Sequence, residues 1–188
     1  MSIKTFSLPL GRFVLEFDVD IELSVQYTCQ FRHHGPNFLF AVAEVWMSCS
    51  AGRYLLYPKS NPGNFLEDLA SIAVAISNPP SIQNMEAIID CGGWCAWMAA
   101  YWDRVDADSV VADDELNFEK LIRLSMLESR MGHLAIYRCG GSPIIEAATR
   151  SDDLRNRVTA WDFFESEFLR ARVDEVARDM ADAIRRAL

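Results

Sequence analysis

The sequence predicts an α+β fold: mostly antiparallel β-sheet, built as a meander plus hairpins, with one mid-chain helix and a long C-terminal amphipathic helix packed on the sheet. Three observations carry that prediction. Residues 12–32 alternate apolar and polar side chains, which separates two faces of a strand. Residues 133–149 read as two strands around a Gly-Gly turn. Residues 159–186 repeat apolar side chains every three to four positions, the spacing of a helix buried on one side. The chain of 188 residues is expected to form a single domain, 1–188. A chain of that size buries roughly 70% of its unfolded surface.

In chain order, residues 3–10 (IKTFSLPL) suit a short edge strand, because Pro9 cannot donate to a ladder. In the run 12–32, Phe13, Leu15, Phe17, Val19, Ile21, Leu23, Val25, Tyr27, Cys29 and Phe31 form one set, and the other begins with Glu16, Asp18, Asp20 and Glu22. The run exceeds an ordinary strand, so it reads as one long bent strand or as two strands in phase. Residues 33–37 (HHGPN) are a loop. Residues 38–49 (FLFAVAEVWMSC) read as a central strand apolar on both faces, and 53–57 (RYLLY) as a short strand after the Ala51-Gly52 turn. Asn64 with Glu67 gives a helix start, apolar spacing continues through Ser77, and Asn78-Pro79-Pro80 stops the helix. Met85 to Asp90 suits a strand. Residues 94–102 (WCAWMAAYW) fit a helix by the spacing of Trp94, Trp97, Tyr101 and Trp102, and equally a strand buried on both faces; the preceding Gly pair favours the strand. Residues 103–115 are a polar loop and 119–127 a strand. His133 to Arg138 and Pro143 to Thr149 are the hairpin. The terminal helix starts at a Thr159/Asp162 capping pattern and buries Trp161, Phe164, Phe168, Val173, Val176, Met180 and Ile184. The stretches IIDCGGW and IYRCGGS look alike, which reads as shared turn chemistry rather than a duplication.

Charge narrows the function classes. The net charge of -9 opposes direct binding to a nucleic-acid backbone and favours cationic partners. It is also concentrated. The segment 12–25 carries four acids against Arg12, and the loop 103–115 carries six, Asp103, Asp106, Asp108, Asp113, Asp114 and Glu115, against Arg104. Those ten acids are the candidate partner-binding residues; the plain alternative is a solvated face and loop. Residues 1–12 have no signal-like apolar run and no stretch is long enough to span a membrane, so a cytoplasmic chain without membrane contact is expected. Five Cys at irregular spacing then read as reduced thiols.

No catalytic, cofactor-binding or metal-binding residue is expected. Cys91 and Cys95 have one zinc-like spacing but no second pair follows, and His33, His34 and His133 are scattered. The G-x-S-x-G, Walker and G-x-G-x-x-G templates are missing. Trp94, Trp97, Tyr101 and Trp102 suit core packing better than a ligand pocket.

The general layout, together with residues 141–173 (GSPIIEAATRSDDLRNRVTAWDFFESEFLRARV), resembles bacterial immunity proteins of polymorphic toxin systems. The resemblance implies a cytoplasmic, single-domain α+β inhibitor that neutralises a partner toxin or effector domain by occluding a basic surface. Acidic strands and loops suit that task through steering and charge complementarity. Two other readings stand beside it. One is a nucleic-acid-mimicking anti-defence inhibitor, which Arg53, Lys59 and Lys120 would interrupt. The other is a small-molecule-binding protein or enzyme, whose mark would be an aromatic cavity with a buried carboxylate.

Overall fold

A two-residue turn, Gly11-Arg12, joins β1 (Ile3–Leu10) to β2 (Phe13–Asp20), with Leu10 opposite Phe13. Gly11 adopts φ +64°, and a Cβ there would collide with the Asp162 carboxylate, which accepts the Arg12 N–H at 3.0 Å. β3 (Ala43–Cys49) and β4 (Gly52–Tyr57) complete an antiparallel meander in the order β1-β2-β3-β4. The predicted edge position of the Pro9 strand and the 53–57 strand are both present. The computed structural model describes residues 2–59, 64–79, 88, 90, 92–94, 96–97, 125–128, 132–139, 142–149 and 158–188.

Period-two alternation holds through β2. Phe13, Leu15, Phe17 and Val19 are buried in the core, while Val14, Glu16 and Asp18 face outward. It does not hold as a strand beyond Asp20, because residues 21–30 form α1 (Ile21–Gln30). The expectation of a strand through Arg32 is therefore corrected. Asp20 is extended at φ -81°, ψ 100°, and its carboxylate accepts the Leu23 N–H at 3.0 Å, an N-cap. In the helix the buried side chains of this segment are Ile21, Ser24 and Thr28, two of them polar. Ser24 Oγ donates to the Asp20 carbonyl and accepts the Val42 N–H at 3.0 Å; Thr28 Oγ1 accepts the Phe40 N–H at 2.9 Å. These bonds satisfy backbone that no ladder serves, so residues 38–41 run past α1 outside the sheet, and Val42 meets β2 only through its carbonyl, which accepts the Asp20 N–H at 3.0 Å. Tyr27, Phe31 and Phe40 stack there at centroid distances of 5.1–6.1 Å. The run 38–49 is thus strand only from Ala43, and it is one-sided: Ala43, Val45 and Met47 are buried, whereas Glu44, Trp46 and Ser48 lie on the outer face.

α2 (Phe65–Ser77) begins and ends where its capping signals place it. Asn64 Oδ1 accepts from Leu66 N–H and from Ala41 N–H, so the cap also ties the 39–42 segment to the helix. Phe65, Leu69, Ile72, Ala73 and Ile76 are buried, and Phe65 packs on Phe17 of β2 at 5.3 Å between ring centroids.

The second sheet has the order β5-β6-β7-β8, all antiparallel, from Ser125–Glu128, Gly132–Cys139, Ser142–Thr149 and Thr159–Phe163. Its β6–β7 hairpin matches the predicted one, with Cys139 opposite Ser142. β5 lies at the end of the run 119–127; residues 119–124 are outside the described set. Leu134, Ile136, Ile145 and Ala147 turn one face of this sheet into the core shared with the first. The sheets meet at β4 and β6, where Gly132 lets Leu56 approach: a Cβ at 132 would stand 2.7 Å from Leu56 Cδ2.

The terminal helix α3 (Ser166–Ala187) starts later than predicted. Thr159–Phe163 is strand β8, paired with β7, and Asp162 serves the Gly11-Arg12 turn rather than a helix start. The 22 residues of α3 span about 33 Å and pack with α2 and α1 and beside β1. Leu169, Val173, Val176, Met180, Ala183 and Ile184 are its buried stripe; Phe168, assigned to that stripe from sequence, is 64% exposed. The strand expectations for 85–90 and 94–102 are also corrected where the residues are described: Ile88, Asp90, Trp94, Ala96 and Trp97 are helical. The described residues Ile88, Asp90 and Trp94 of the IIDCGGW stretch are helical, whereas Ile136–Cys139 of IYRCGGS is strand, so the two do not repeat one structure. No helix among the described residues is long and apolar enough to cross a membrane.

Candidate functional site

Two places concentrate charged chemistry. The first is the outer face of the β1–β4 sheet, on which no described helix packs, since α2 and α3 contribute their buried stripes to the inner core. Strand register sets Glu16 beside Trp46, and Asp18 beside Glu44 on β3 and Thr5 on β1. Arg53 on β4 reaches across Trp46 to the acids of β2. Its Nε meets Glu16 Oε2 at 2.6 Å, its Nη2 meets Asp18 Oδ2 at 2.9 Å, and its Cζ lies 4.1 Å from the Trp46 ring centroid. Its hydrogen bonds to Glu16, first, and to Asp18 push the Arg53 pKa up, so the cation is fixed. Thr5 Oγ1 donates to Asp18 Oδ1 at 2.6 Å. Arg53 is 44% exposed, so each ion pair contributes no more than ~1 kcal/mol.

Of the ten candidate residues, Glu16 and Asp18 lie on this face as predicted. Asp20 is 4% exposed and forms an ion pair with Lys59. Burial pushes its carboxyl up, but the hydrogen bonds from Lys59 and Leu23 N–H, with the Lys59 charge, outweigh this and hold it below the ordinary carboxylate range. Asp20 is therefore a capping and ion-pairing group, not a surface acid. Glu22 is exposed in the first turn of α1 rather than in line with the strand row. Asp103, Asp106, Asp108, Asp113, Asp114 and Glu115 lie outside the described residues, as do Tyr101 and Trp102. Sequence reasoning missed Glu44. The signal was present, because Ala43-Glu44-Val45-Trp46-Met47-Ser48 alternates within the otherwise apolar run. Glu44 makes no ion pair among the described residues, although it stands directly across from Asp18, a repulsive arrangement.

The second place is a buried polar centre on the far face of the second sheet. Glu146 on β7 is fully buried. Its Oε2 accepts the Tyr137 hydroxyl and the Trp94 N–H, both at 2.7 Å, and its Oε1 lies 4.0 Å from His133 Nε2. The His133 ring meets Trp94 edge-on at 4.4 Å, and Trp94 is itself buried. The backbone prepares this contact. Gly93 closes one helical segment by donating its N–H to the Ile88 carbonyl at 2.9 Å, then opens the next by accepting from Trp97 N–H at 3.0 Å. Trp94 is therefore the first residue of a helical turn whose N–H points at a carboxylate, as the helix dipole favours. Gly93 has φ +110°, and a Cβ on it would stand 2.9 Å from Glu146 Oε2. A single acid within the apolar strand PIIEAAT is the sequence signal for Glu146, a residue that sequence reasoning missed.

The described residues around both places hold no group of three or more His, Cys, Asp or Glu side chains that could ligate a metal. Compared with protein-family models, with curated proteins and with solved structures, the chain matches none.

Proposed function

We propose that this chain is a protein-binding inhibitor of the immunity-protein kind, which covers a basic surface of a partner toxin or effector with the outer face of its first sheet. One observation carries this reading: Asp18 and Glu44 oppose each other on a face that no described helix covers, and Glu44 makes no ion pair among the described residues. Like charges set across a strand pair destabilise the free protein unless something offsets them. A cationic side chain on a partner would do so, and would gain from steering by a chain of net charge -9. Trp46 under Arg53 supplies the aromatic and guanidinium surface that interfaces favour. Arg53 and Lys59 stand amid the acids of β2, which breaks the regular anionic spacing that mimicry of a nucleic acid would need.

The test is charge reversal. Asp18→Lys with Glu44→Lys is made in the full chain, its folding is checked by circular dichroism, and association with the protein that co-purifies with the native chain is measured from low to high salt. Association should slow by about tenfold at low salt and lose most of its salt dependence. An unchanged rate with unchanged salt dependence refutes the reading.

The rival reading, a small-molecule site, has the Glu146 centre in its favour, a buried carboxylate among aromatic side chains. Against it, the carboxylate has no exposed surface and its bonds to Trp94 N–H and Tyr137 hold a helical turn against the sheet.

A further inference from the structure

We propose that the free edge of β1 docks an extended segment of a partner protein that carries carboxylates at alternate positions, adding it as a further strand to the first sheet. The proposal goes beyond the outer-face reading and rests on different residues.

The ladder decides which backbone groups are available. Ile21 donates its N–H to the Ser2 carbonyl at 3.0 Å, and Asp20 donates to Val42 on the other side of β2. In an antiparallel pair the bonding direction alternates, so Ser2, Lys4, Phe6, Leu8 and Leu10 bond inward to β2. Ile3, Thr5 and Ser7 turn their N–H and C=O groups away from the sheet, on a side where no described strand pairs. Pro9 belongs to this outward set, where its missing N–H costs no ladder bond. The usable edge is therefore Ile3 to Ser7, and Ile3 is 56% exposed on it.

A groove of about 420 Å³ runs beside this edge, between β1 and α3. Its floor is apolar, from Phe6 and Val176. Lys4 and Arg186 line it and form no ion pair among the described residues. Arg172 is there too, bound to Glu175 at 2.6 Å, and Asp179 is the remaining acid. In a chain of net charge -9 this lining holds more cations than carboxylates. A strand added to β1 would send alternate side chains into the groove and the others over Thr5 and Ser7 on the outer face. Carboxylates belong on the groove side, beside Lys4 and Arg186; on the outer side they would meet Asp18. A second copy of β1 would bring two such cationic grooves together, and edge Lys and Pro residues oppose that pairing.

The probe is the peptide Ac-TETETET-NH2, with Ac-TKTKTKT-NH2 as control, added to the isotope-labelled full chain while amide hydrogen exchange is followed. With the acidic peptide at about ten times its Kd, exchange at Thr5 and Ser7 should slow about tenfold. The lysine peptide should leave it unchanged. Lys4→Glu combined with Arg186→Glu should weaken binding about fivefold or more. Ser7→Pro should abolish it without moving the unfolding midpoint, because position 7, like position 9, bonds outward. Absent slowing, equal slowing by the lysine peptide, or full binding by a folded Ser7→Pro chain overturns the proposal. So does slowing at Thr5 and Ser7 that rises with protein concentration alone, which would make a second copy the occupant. None of these outcomes bears on the Asp18 and Glu44 test.

Discussion

Replacing Asp20 removes a helix cap and an ion pair at the point where the chain changes from strand to helix. The Asp20 carboxylate accepts the Leu23 N–H and binds Lys59 at a position only 4% exposed. Loss of an N-cap costs about 1 kcal/mol. Loss of a hydrogen bond to a charged group costs ~1.5–3 kcal/mol, and here it leaves the Lys59 ammonium, 23% exposed, without its counterion. Asp20→Ala should therefore destabilise by about 3 kcal/mol, a fall of roughly 6–12 °C in Tm for a domain of this size. Asp20→Asn keeps a side-chain oxygen for Leu23 N–H and loses only the charge, so it should cost about half as much. The assay is denaturant unfolding of both variants and the native chain across pH. Because the folded carboxyl lies below its ordinary value of ~3.9, its contribution is fully present above that value and is lost as pH falls through the lower folded pKa. The native chain's advantage over Asp20→Asn should thus be constant near neutrality and shrink only in acid. Equal effects of alanine and asparagine, or an advantage that disappears near neutral pH, would refute the reasoning.

Gly93→Ala should destabilise by about 2–4 kcal/mol in denaturant unfolding, from positive-φ strain together with displacement of the Glu146 carboxylate. Gly92→Ala, at φ +90° but with its nearest neighbour 3.9 Å away, should cost only the strain, ~1–2 kcal/mol. Tyr137→Phe removes a donor to a fully buried carboxylate and should cost ~1–3 kcal/mol by the same measurement. Asp68→Asn should stabilise, because burial, then the neighbouring Glu67, push the Asp68 carboxyl up. A raised folded pKa means stability falls as pH rises through it, so the gain should be absent in acid and grow above the ordinary carboxylate range.

The elements that local chemistry fully specifies were legible in the chain. Asn64 caps α2 with Glu67 beside it, and the helix ends at Ser77, just before the prolines that begin at Pro79, because capping and ring constraints act within a few residues. Phe13 to Val19 declare a one-sided strand by alternation, Cys139-Gly-Gly declares a tight hairpin, and Val173 to Ile184 declare a buried helical stripe. Pro9 announces an edge, since its missing N–H can be tolerated only outward. Of the candidate site, the placement of Glu16 and Asp18 on the outer face was readable for the same reason.

What followed Asp20 was not decided by its local cap alone. Ile21 to Cys29 alternate as well as Phe13 to Val19 do, yet they coil, because Asp20 can cap Leu23 and because Ser24 and Thr28 find the bare backbone of Phe40 and Val42. That backbone is brought there by the tertiary arrangement. Thr159 and Asp162 spell a helix start, but β7 offers Thr159–Phe163 a ladder and Arg12 N–H claims the Asp162 carboxylate. Arg53 lies 35 residues from Asp18 in sequence and meets it only across β3. Glu146 could be recognised as a lone acid in an apolar strand, but its partners Trp94 N–H and Tyr137 come from 52 and 9 residues away. The sequence alone determined the elements whose caps, turns and periods lie within one segment. Tertiary structure decided every case in which a buried polar group had to be satisfied by a partner far along the chain, because burial makes an unsatisfied group cost more than the local preference it overrides.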